Sequence, residues 1–419
     1  MTPSSRAAAL SALSAVLDRR RTLEAAFDAA CRGLEGRDRA FARALLSLTL
    51  RRLGEIDAIL SPLLERPLAP AARPVLHILR LAAAQILFLK TPPHAAVSTA
   101  VDLARDRGFP GLAGLVNAVA RRIARMPEPA PAPGLNLPEW LSASWGAAYG
   151  SATVQAIAQS LLAEPPLDLS VAGDPAPWAA ALGAQVLPTG TLRLARGHEA
   201  VEALPGWAEG AWWVQDAAAA LPARLLGDVA GLAVADLCAA PGGKTMQLAA
   251  AGARVTAVDR SAPRLARLSE NLARTHLSAE IVRADLTRWS PPAPFDAVLI
   301  DAPCSATGTL RRHPDAAHLK SPADVAKLAR LQRAILERAP GWVKPGGTLV
   351  YCVCSLEAAE EAASPAAPPA GFAPLPAEPA EIGGWDFAIR PDGALRTLPC
   401  HLSGLGGMDG FYAARFRRL

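Results

Sequence analysis

No uninterrupted apolar run in this 419-residue chain reaches the ~18 residues that a membrane-spanning helix requires. Nor does Met1–Leu17 place a basic segment ahead of its apolar part or end in a clear cleavage site, so no signal peptide is expected. The chain is expected in the cytoplasm, without a membrane partner. None of the six cysteines (Cys31, Cys238, Cys304, Cys352, Cys354 and Cys400) forms a C-x-x-C pair. In a cytoplasmic chain they are not a disulfide framework. Cys352 and Cys354 form a C-x-C without a second pair or a neighbouring histidine, so no metal site is expected. No internal repeat is visible, and no segment has the composition of a disordered tail.

What is present suits a large folded protein. The length predicts two or three domains, and 51% hydrophobic residues supply sizeable cores. The net charge of +5 is unevenly distributed. Residues 1–125 hold 19 Lys+Arg against 10 Asp+Glu, a balance of +9, and the remainder holds 24 against 28, a balance of −4. Almost all of the N-terminal positive charge is arginine, densest at Arg19-Arg20-Arg21 and Arg37/Arg39/Arg43. The planar arginine fork suits phosphate, which makes residues 1–125 a candidate nucleic-acid face. The alternative is an ordinary solvated helical surface.

Apolar residues recur at intervals of three and four throughout 4–125, broken at Gly33–Gly36, Pro62–Pro74, Thr91–Pro93 and Gly108–Gly111. This pattern predicts an all-α bundle over 1–125. Met126–Pro138 has five prolines and little periodicity, and reads as a stiff linker. Residues 139–215 read as a small α+β subdomain, with two helices and then a βαβ-like stretch over Leu167–Val171, Trp178–Leu182 and Thr191–Leu194. From 216 to 419 strands and helices alternate, the mark of a parallel sheet covered on both faces. Predicted strands are Leu232–Leu237, Arg254–Val258, Glu280–Arg283, Phe295–Ile300 and Thr348–Val353. Gly410–Phe416 alternates like a strand and is expected at the far edge of that sheet. The Ala/Pro-rich stretch Ser364–Pro379 is assigned no helix.

The last region is organised around Asp236–Thr245, which reads D-L-C-A-A-P-G-G-K-T. Strand, glycine turn and helix is the order that brings a ligand to a helix N-terminus. A phosphate-binding P-loop needs a glycine at 238, and Cys238 stands there, so that reading fails. An adenosine ligand across the strand ends predicts an acidic residue closing the next strand, about 20 residues on, to grip the ribose hydroxyls. Asp259 meets it.

The carboxyl ends of the strands carry Asp236 and Cys238, Asp259, Asp285, Asp301, and Cys352 and Cys354. Ligands of open α/β sheets bind outside these ends. Asp285 is suited to accept from an adenine amino group. The fourth strand runs into Asp301-Ala-Pro-Cys304, and Arg311, Arg312 and His313 follow as candidate RNA-phosphate contacts. Two thiols beside an adenosine ligand suggest one chemistry. A thiolate adding to carbon 6 of a pyrimidine makes carbon 5 nucleophilic towards the methyl of S-adenosyl-L-methionine. Asp301 is suited to hydrogen-bond the polar edge of the ring. These residues alone leave open which thiol attacks.

Asp236–Thr245, Asp301–Asp315 and Tyr351–Ser355 resemble the motifs of the RNA cytosine-C5 methyltransferases, and residues 1–125 resemble the NusB-like RNA-binding domain. The combination is similar to the Sun/Fmu-type 16S ribosomal RNA methyltransferases of bacteria. Trp207–Asp216 and Met408–Tyr412 also match. The resemblance implies a NusB-like bundle followed by a Rossmann-like catalytic domain, with a seven-stranded sheet whose last strand is antiparallel. It implies Cys354 as nucleophile and Cys304 as the group that frees the product. It implies cofactor contacts from Cys238, Ala239, Ala240, Pro241, Gly242, Gly243 and Lys244, and from Asp259, Asp285 and Asp301. The implied cofactor is S-adenosyl-L-methionine and the partner small-subunit ribosomal RNA; the protein is expected to be a monomer. Val353 stands where the family usually has threonine, and Cys352 adds a further thiol. The rival readings are the same chemistry on another RNA, such as transfer RNA, and a non-catalytic RNA-binding assembly factor that keeps the fold.

Overall fold

The computed structural model describes residues 4–197 and 200–419. The chain forms two compact units. One comprises residues up to Leu162 together with Arg312–Lys320. The other comprises Ala163–Arg311 and Ser321–Leu419.

The first unit is helical, as the three-and-four spacing predicts. Its helices span Ser5–Leu17, Leu23–Ala30, Gly36–Arg51, Leu53–Leu60, Arg73–Ala83, Pro93–Asp106, Ala113–Ala124, Glu139–Tyr149 and Ser151–Leu161. The Ser4 hydroxyl caps the first by accepting from Ala7 N at 3.2 Å. Their apolar stripes meet in one core that includes Leu13, Leu45, Leu46, Leu79 and Val116. Pro70–Phe88 is a continuous helical stretch long and apolar enough, by length and composition, to cross a membrane, but most of it is buried in this core. Its polar residues are paired within the unit: Arg80 grips Asp57 with two bonds of 2.7 Å, and the His77 ring meets Asp18 at 3.0 Å.

Three predicted boundaries differ from the observed packing. Met126–Pro138 is no free spacer. Its Ala132 N donates to Glu55 Oε1, Asn136 Nδ2 donates to Glu55 Oε2, and Glu55 N donates to Asn136 Oδ1, each within 3.0 Å. A buried carboxylate thus gathers the proline-rich backbone against helix Leu53–Leu60. The helices over 139–161, assigned from sequence to the small subdomain, belong to the helical unit. So does Arg312–Lys320, where the Asp315 carboxylate accepts from Leu23 N at 2.9 Å and Arg20 donates to Leu319 O at 2.6 Å.

The second unit holds two sheets. The smaller comprises β1 (Leu167–Val171), β2 (Gln185–Val186), β3 (Leu192–Leu194) and β4 (Trp212–Val214) in the order β2-β3-β1-β4. Every pairing is antiparallel, not βαβ-like. Only five residues separate β2 from β3, too few for the crossover of about a dozen that parallel pairing demands. The buried pair Arg193–Asp168, a two-pronged fork at 2.7 Å, joins β3 to β1.

The larger sheet comprises β5 (Ala233–Leu237), β6 (Arg254–Asp259), β7 (Glu280–Arg283), β8 (Phe295–Asp301), β9 (Val343–Val353), β10 (Phe372–Pro374), β11 (Leu395–Arg396) and β12 (Tyr412–Arg418). Its order is β10-β12-β9-β8-β5-β6-β7, with β11 pairing to β12 outside this path. The five strands β7-β6-β5-β8-β9 are parallel, and β12 is antiparallel to each strand it pairs with. The terminal strand expected at the far edge lies one place inside it. Phe372–Pro374 takes the edge, where a proline leaves no interior ladder bond unmade.

The fit between helix Leu53–Leu60 and the proline-rich segment leaves no room at Gly54, where an added Cβ would lie 1.7 Å from Leu135 O. Gly54→Ala is therefore expected to destabilise the protein by about 1–3 kcal/mol. Denaturant midpoints and limited proteolysis check this: the midpoint should fall and cleavage within 126–138 should quicken.

Candidate active site

β5 ends at Leu237, and the chain turns over Cys238–Gly242 into helix Gly243–Ala250. Gly242 holds φ +108, and an added Cβ would meet Leu268 at 3.0 Å, so glycine is required there twice over. Asp236, one strand residue earlier, is wholly buried and accepts from Thr245 Oγ1 at 2.5 Å, tying the strand to the first turn of the helix. Burial, opposed by the Thr245 hydroxyl, raises its pKa from 3.8 to about 7.

A cavity of about 300 Å³ opens at the carboxyl ends of the strands. It is lined by Cys238, Asp259, Asp285, Asp301, Cys304 and Cys354, with Arg260 and Arg264, and with an apolar side that includes Leu286, Pro303, Leu331 and Ile335. The tertiary fold thus brings together four of the predicted cofactor residues and both proposed reactive thiols. Ala239, Ala240, Pro241, Gly242, Gly243 and Lys244 shape the adjoining turn without lining this cavity.

Each carboxylate has a different setting. Asp259 is 3% exposed and accepts from Ser261 N at 2.9 Å and Ala240 N at 3.3 Å. Arg264 lies 3.4 Å from it and also donates to Ala240 O. Asp285 is exposed at the rim, and the hydroxyl and then the backbone amide of Thr287 lower its pKa, both bonding to Oδ1. Asp301 receives the Lys244 ammonium at 2.8 Å. Burial works against the Lys244 charge, but Asp301, Cys352 and Asp236 overcome it and hold the lysine pKa above its usual value. The lysine is 7% exposed and does not itself line the cavity.

The thiols separate by environment. Cys352 is wholly buried, and its sulfur donates to Asp301 Oδ1 at 3.6 Å. Burial, then the charge of Asp301, pushes its pKa well up. Cys238 is likewise raised by burial and then by Asp301. Cys354 is half-buried, lines the cavity, and has its Sγ 3.4 Å from that of Cys304. The hydrogen bond with Cys354, then burial, raises Cys304 well above an ordinary thiol. Of the two thiols at the end of β9, Cys354 alone lines the cavity; Cys352 is locked beside Asp301.

Arg311 does not meet the expectation of an RNA-phosphate contact. It is fully buried and donates to Gly406 O at 2.8 Å, so its guanidinium serves the interior. Arg312 is half-buried and His313 exposed; both lie in the segment that packs with the helical unit, and neither lines the cavity.

The 16S rRNA methyltransferase RsmB/F model matches residues 224–417 and the NusB model residues 3–125. Ribosomal RNA small subunit methyltransferase B of Xylella fastidiosa is 36% identical over 425 residues, covering 98% of this chain and 97% of that protein. The protein of that name from Vibrio cholerae is 38% identical over 373 residues, covering 84% and 86%. The chain belongs to the RsmB/F family of 16S rRNA methyltransferases. The crystal structure of PH0851 covers all of this chain and 99% of its own length, at TM-score 0.77 and 22% identity. That of NSun6 from Pyrococcus horikoshii with SFG covers 67% of this chain, at TM-score 0.56 and 18% identity. Both share the methyltransferase fold.

The family uses S-adenosyl-L-methionine, and the cavity suits it. Buried Asp259 and rim Asp285 provide acceptors for hydroxyl and amino groups, apolar side chains provide a face for a flat ring, and Asp301 brings negative charge towards a cationic sulfonium.

Two groups were beyond sequence reasoning: the Lys244–Asp301 ion pair, and Glu360 behind the cysteines. One signal was available, since each site cysteine is followed by serine, Cys304-Ser305 and Cys354-Ser355.

Asp236 also makes a pH-dependent contribution to stability. Its raised folded pKa means that the contribution is fully present below pH 3.8 and is lost as pH rises through about 7. The denaturation midpoint of Asp236→Asn, relative to that of the unaltered protein at the same pH, should therefore rise as pH goes from 3.8 to about 7; parallel curves would contradict the assignment.

Proposed function

We propose that this chain methylates carbon 5 of a cytosine in small-subunit ribosomal RNA through a covalent adduct between Cys354 and carbon 6. The observation that carries this reading is the pair of thiols 3.4 Å apart on the cavity wall that holds Asp301, Asp259 and Asp285. S-adenosyl-L-methionine, when bound, supplies an electrophilic methyl group. Cys354 as thiolate forms a bond to carbon 6, and the electrons of the 5,6 double bond move to carbon 5. Once the methyl has moved to carbon 5, with S-adenosylhomocysteine as the leaving group, the carbon-5 proton passes to water, its bonding electrons re-form the 5,6 double bond, and the carbon–sulfur bond breaks to return Cys354 as thiolate. Cys304, its pKa raised, keeps its proton and donates a hydrogen bond to the departing sulfur. Asp301, held by Lys244, hydrogen-bonds the polar edge of the ring. Asp259 takes the ribose hydroxyls and Asp285 the adenine amino group. The relatives' names supply the ribosomal RNA, and the +9 balance of residues 1–125 suits its phosphates.

Cys354→Ser is expected to abolish turnover in a methyl-transfer assay with cofactor affinity nearly unchanged. Lost affinity would place residue 354 in the cofactor pocket instead. Cys304→Ala is expected to accumulate a protein–RNA adduct, seen as a shifted band on a denaturing gel. If Cys354→Ala traps the adduct instead, the two roles are reversed.

The exposed Arg19 and Arg21 test the RNA face. Converting both to Gln should weaken RNA binding and reduce the salt slope of log K by about 1 for each phosphate no longer neutralised. An unchanged slope would return this surface to simple solvation.

A further inference from the structure

We propose that Glu360 is the positioning residue that sets the separation of the two site thiols; this rests on the thiol chemistry proposed above. Glu360 touches no cavity surface and is 0% exposed. Its carboxylate joins the residue that follows each cysteine. Ser305 Oγ and Ser355 Oγ both donate to Glu360 Oε2 at 2.5 Å. Ser305 N donates to Oε1 at 2.9 Å, and Gln332 Nε2 donates to Oε1 at 3.2 Å while also reaching Pro303 O at 3.0 Å.

The surroundings are equally dry. Ser305, Ser355, Thr307 and Gln332 are each 0% exposed. Leu356 N donates to Thr307 Oγ1 at 3.0 Å, and Gly308 N donates to Cys354 O at 3.0 Å. The backbone of Glu360 is fixed in turn, because Tyr351 Oη donates to its carbonyl at 2.7 Å. Two loops fifty residues apart are therefore keyed to one carboxylate through the residue that follows each cysteine. Hydrogen bonds to an ionised acceptor are the stronger kind, and water does not compete here. The arrangement is specific to a carboxylate. A glutamine amide nitrogen cannot accept, so Glu360→Gln turns a donor towards the serine hydroxyls or the Ser305 amide.

The Glu360 charge also adds, after the hydrogen bond with Cys354 and burial, to the forces that raise the pKa of Cys304.

The test reads thiol geometry and chemistry separately. Dibromobimane, whose two bromides are displaced by neighbouring sulfurs, should bridge Cys304 to Cys354 in the unaltered protein, as mapped by peptide mass after reaction to completion, so that the yield reads the separation of the sulfurs and not the rate set by the protonation of Cys304. In Glu360→Gln that bridge should form severalfold less, kcat should fall on the order of a hundredfold, as expected for a reacting group misplaced by about 1 Å, and KM for S-adenosyl-L-methionine should hold. Glu360→Gln with full bridging and full kcat overturns the proposal. So does a kcat loss that only follows the unfolded fraction, with bridging per folded molecule unchanged. If Glu360→Gln does not fold, Ser305→Ala with Ser355→Ala removes both short bonds and must give the same pattern. Bridging needs no RNA, so its outcome stands apart from whether Cys304→Ala traps an adduct.

Discussion

Parallel pairing of β8 with β9 is the constraint on which the site depends. It sets Asp301 opposite Cys352 and Ile300 opposite Tyr351. Both strands then run out at the same end of the sheet, and the loops that leave them carry Cys304 and Cys354. An antiparallel pair would send one loop to each end of the sheet and separate the thiols. Because β5 and β6 share the same direction, the turn after β5 adds Cys238 and the last residue of β6 adds Asp259 to that end. The cavity is therefore a product of strand direction before it is a product of any one side chain.

Within this frame, burial gives identical groups different roles. Three aspartates line one cavity, yet Asp259 is bound by backbone amides and Arg264, Asp301 by a buried lysine, and Asp285 by its own neighbouring threonine at the rim. The cysteines diverge in the same way. Cys352 is enclosed beside Asp301, and Cys304 and Cys354 face each other on the cavity wall. A low-dielectric surrounding makes the differences among the buried groups larger than they would be in water. The Lys244–Asp301 pair shows both effects, since the lysine charge that burial penalises is retained because a half-buried carboxylate meets it at 2.8 Å.

Much of this was legible in order along the chain. Strand alternation located β5 to β9 to within a few residues, except that β9 begins earlier, at Val343. The aspartate ending β6 was found from its distance to the glycine turn. What escaped sequence reading shares a cause: it depends on partners far away in the chain. Proline content made Met126–Pro138 a spacer, but Glu55 recruits it to the helical unit. Arg311 has the composition of a phosphate contact, and a carbonyl at Gly406 claims it. Alternation identified Tyr412–Arg418 as a strand, and only the pairing of Phe372–Pro374 moved it off the edge.

From the sequence alone come the class of fold, the two chemically distinct regions, and the residue types at each strand end. Periodicity and short motifs are local, and local backbone preference is enough to write them. Which thiol meets the cavity, which arginine is held inside, and which carboxylate locks the two cysteine loops were decided by tertiary structure. Those outcomes turn on desolvation and on hydrogen bonds across about fifty residues or more, and neither is a property of any short stretch of chain.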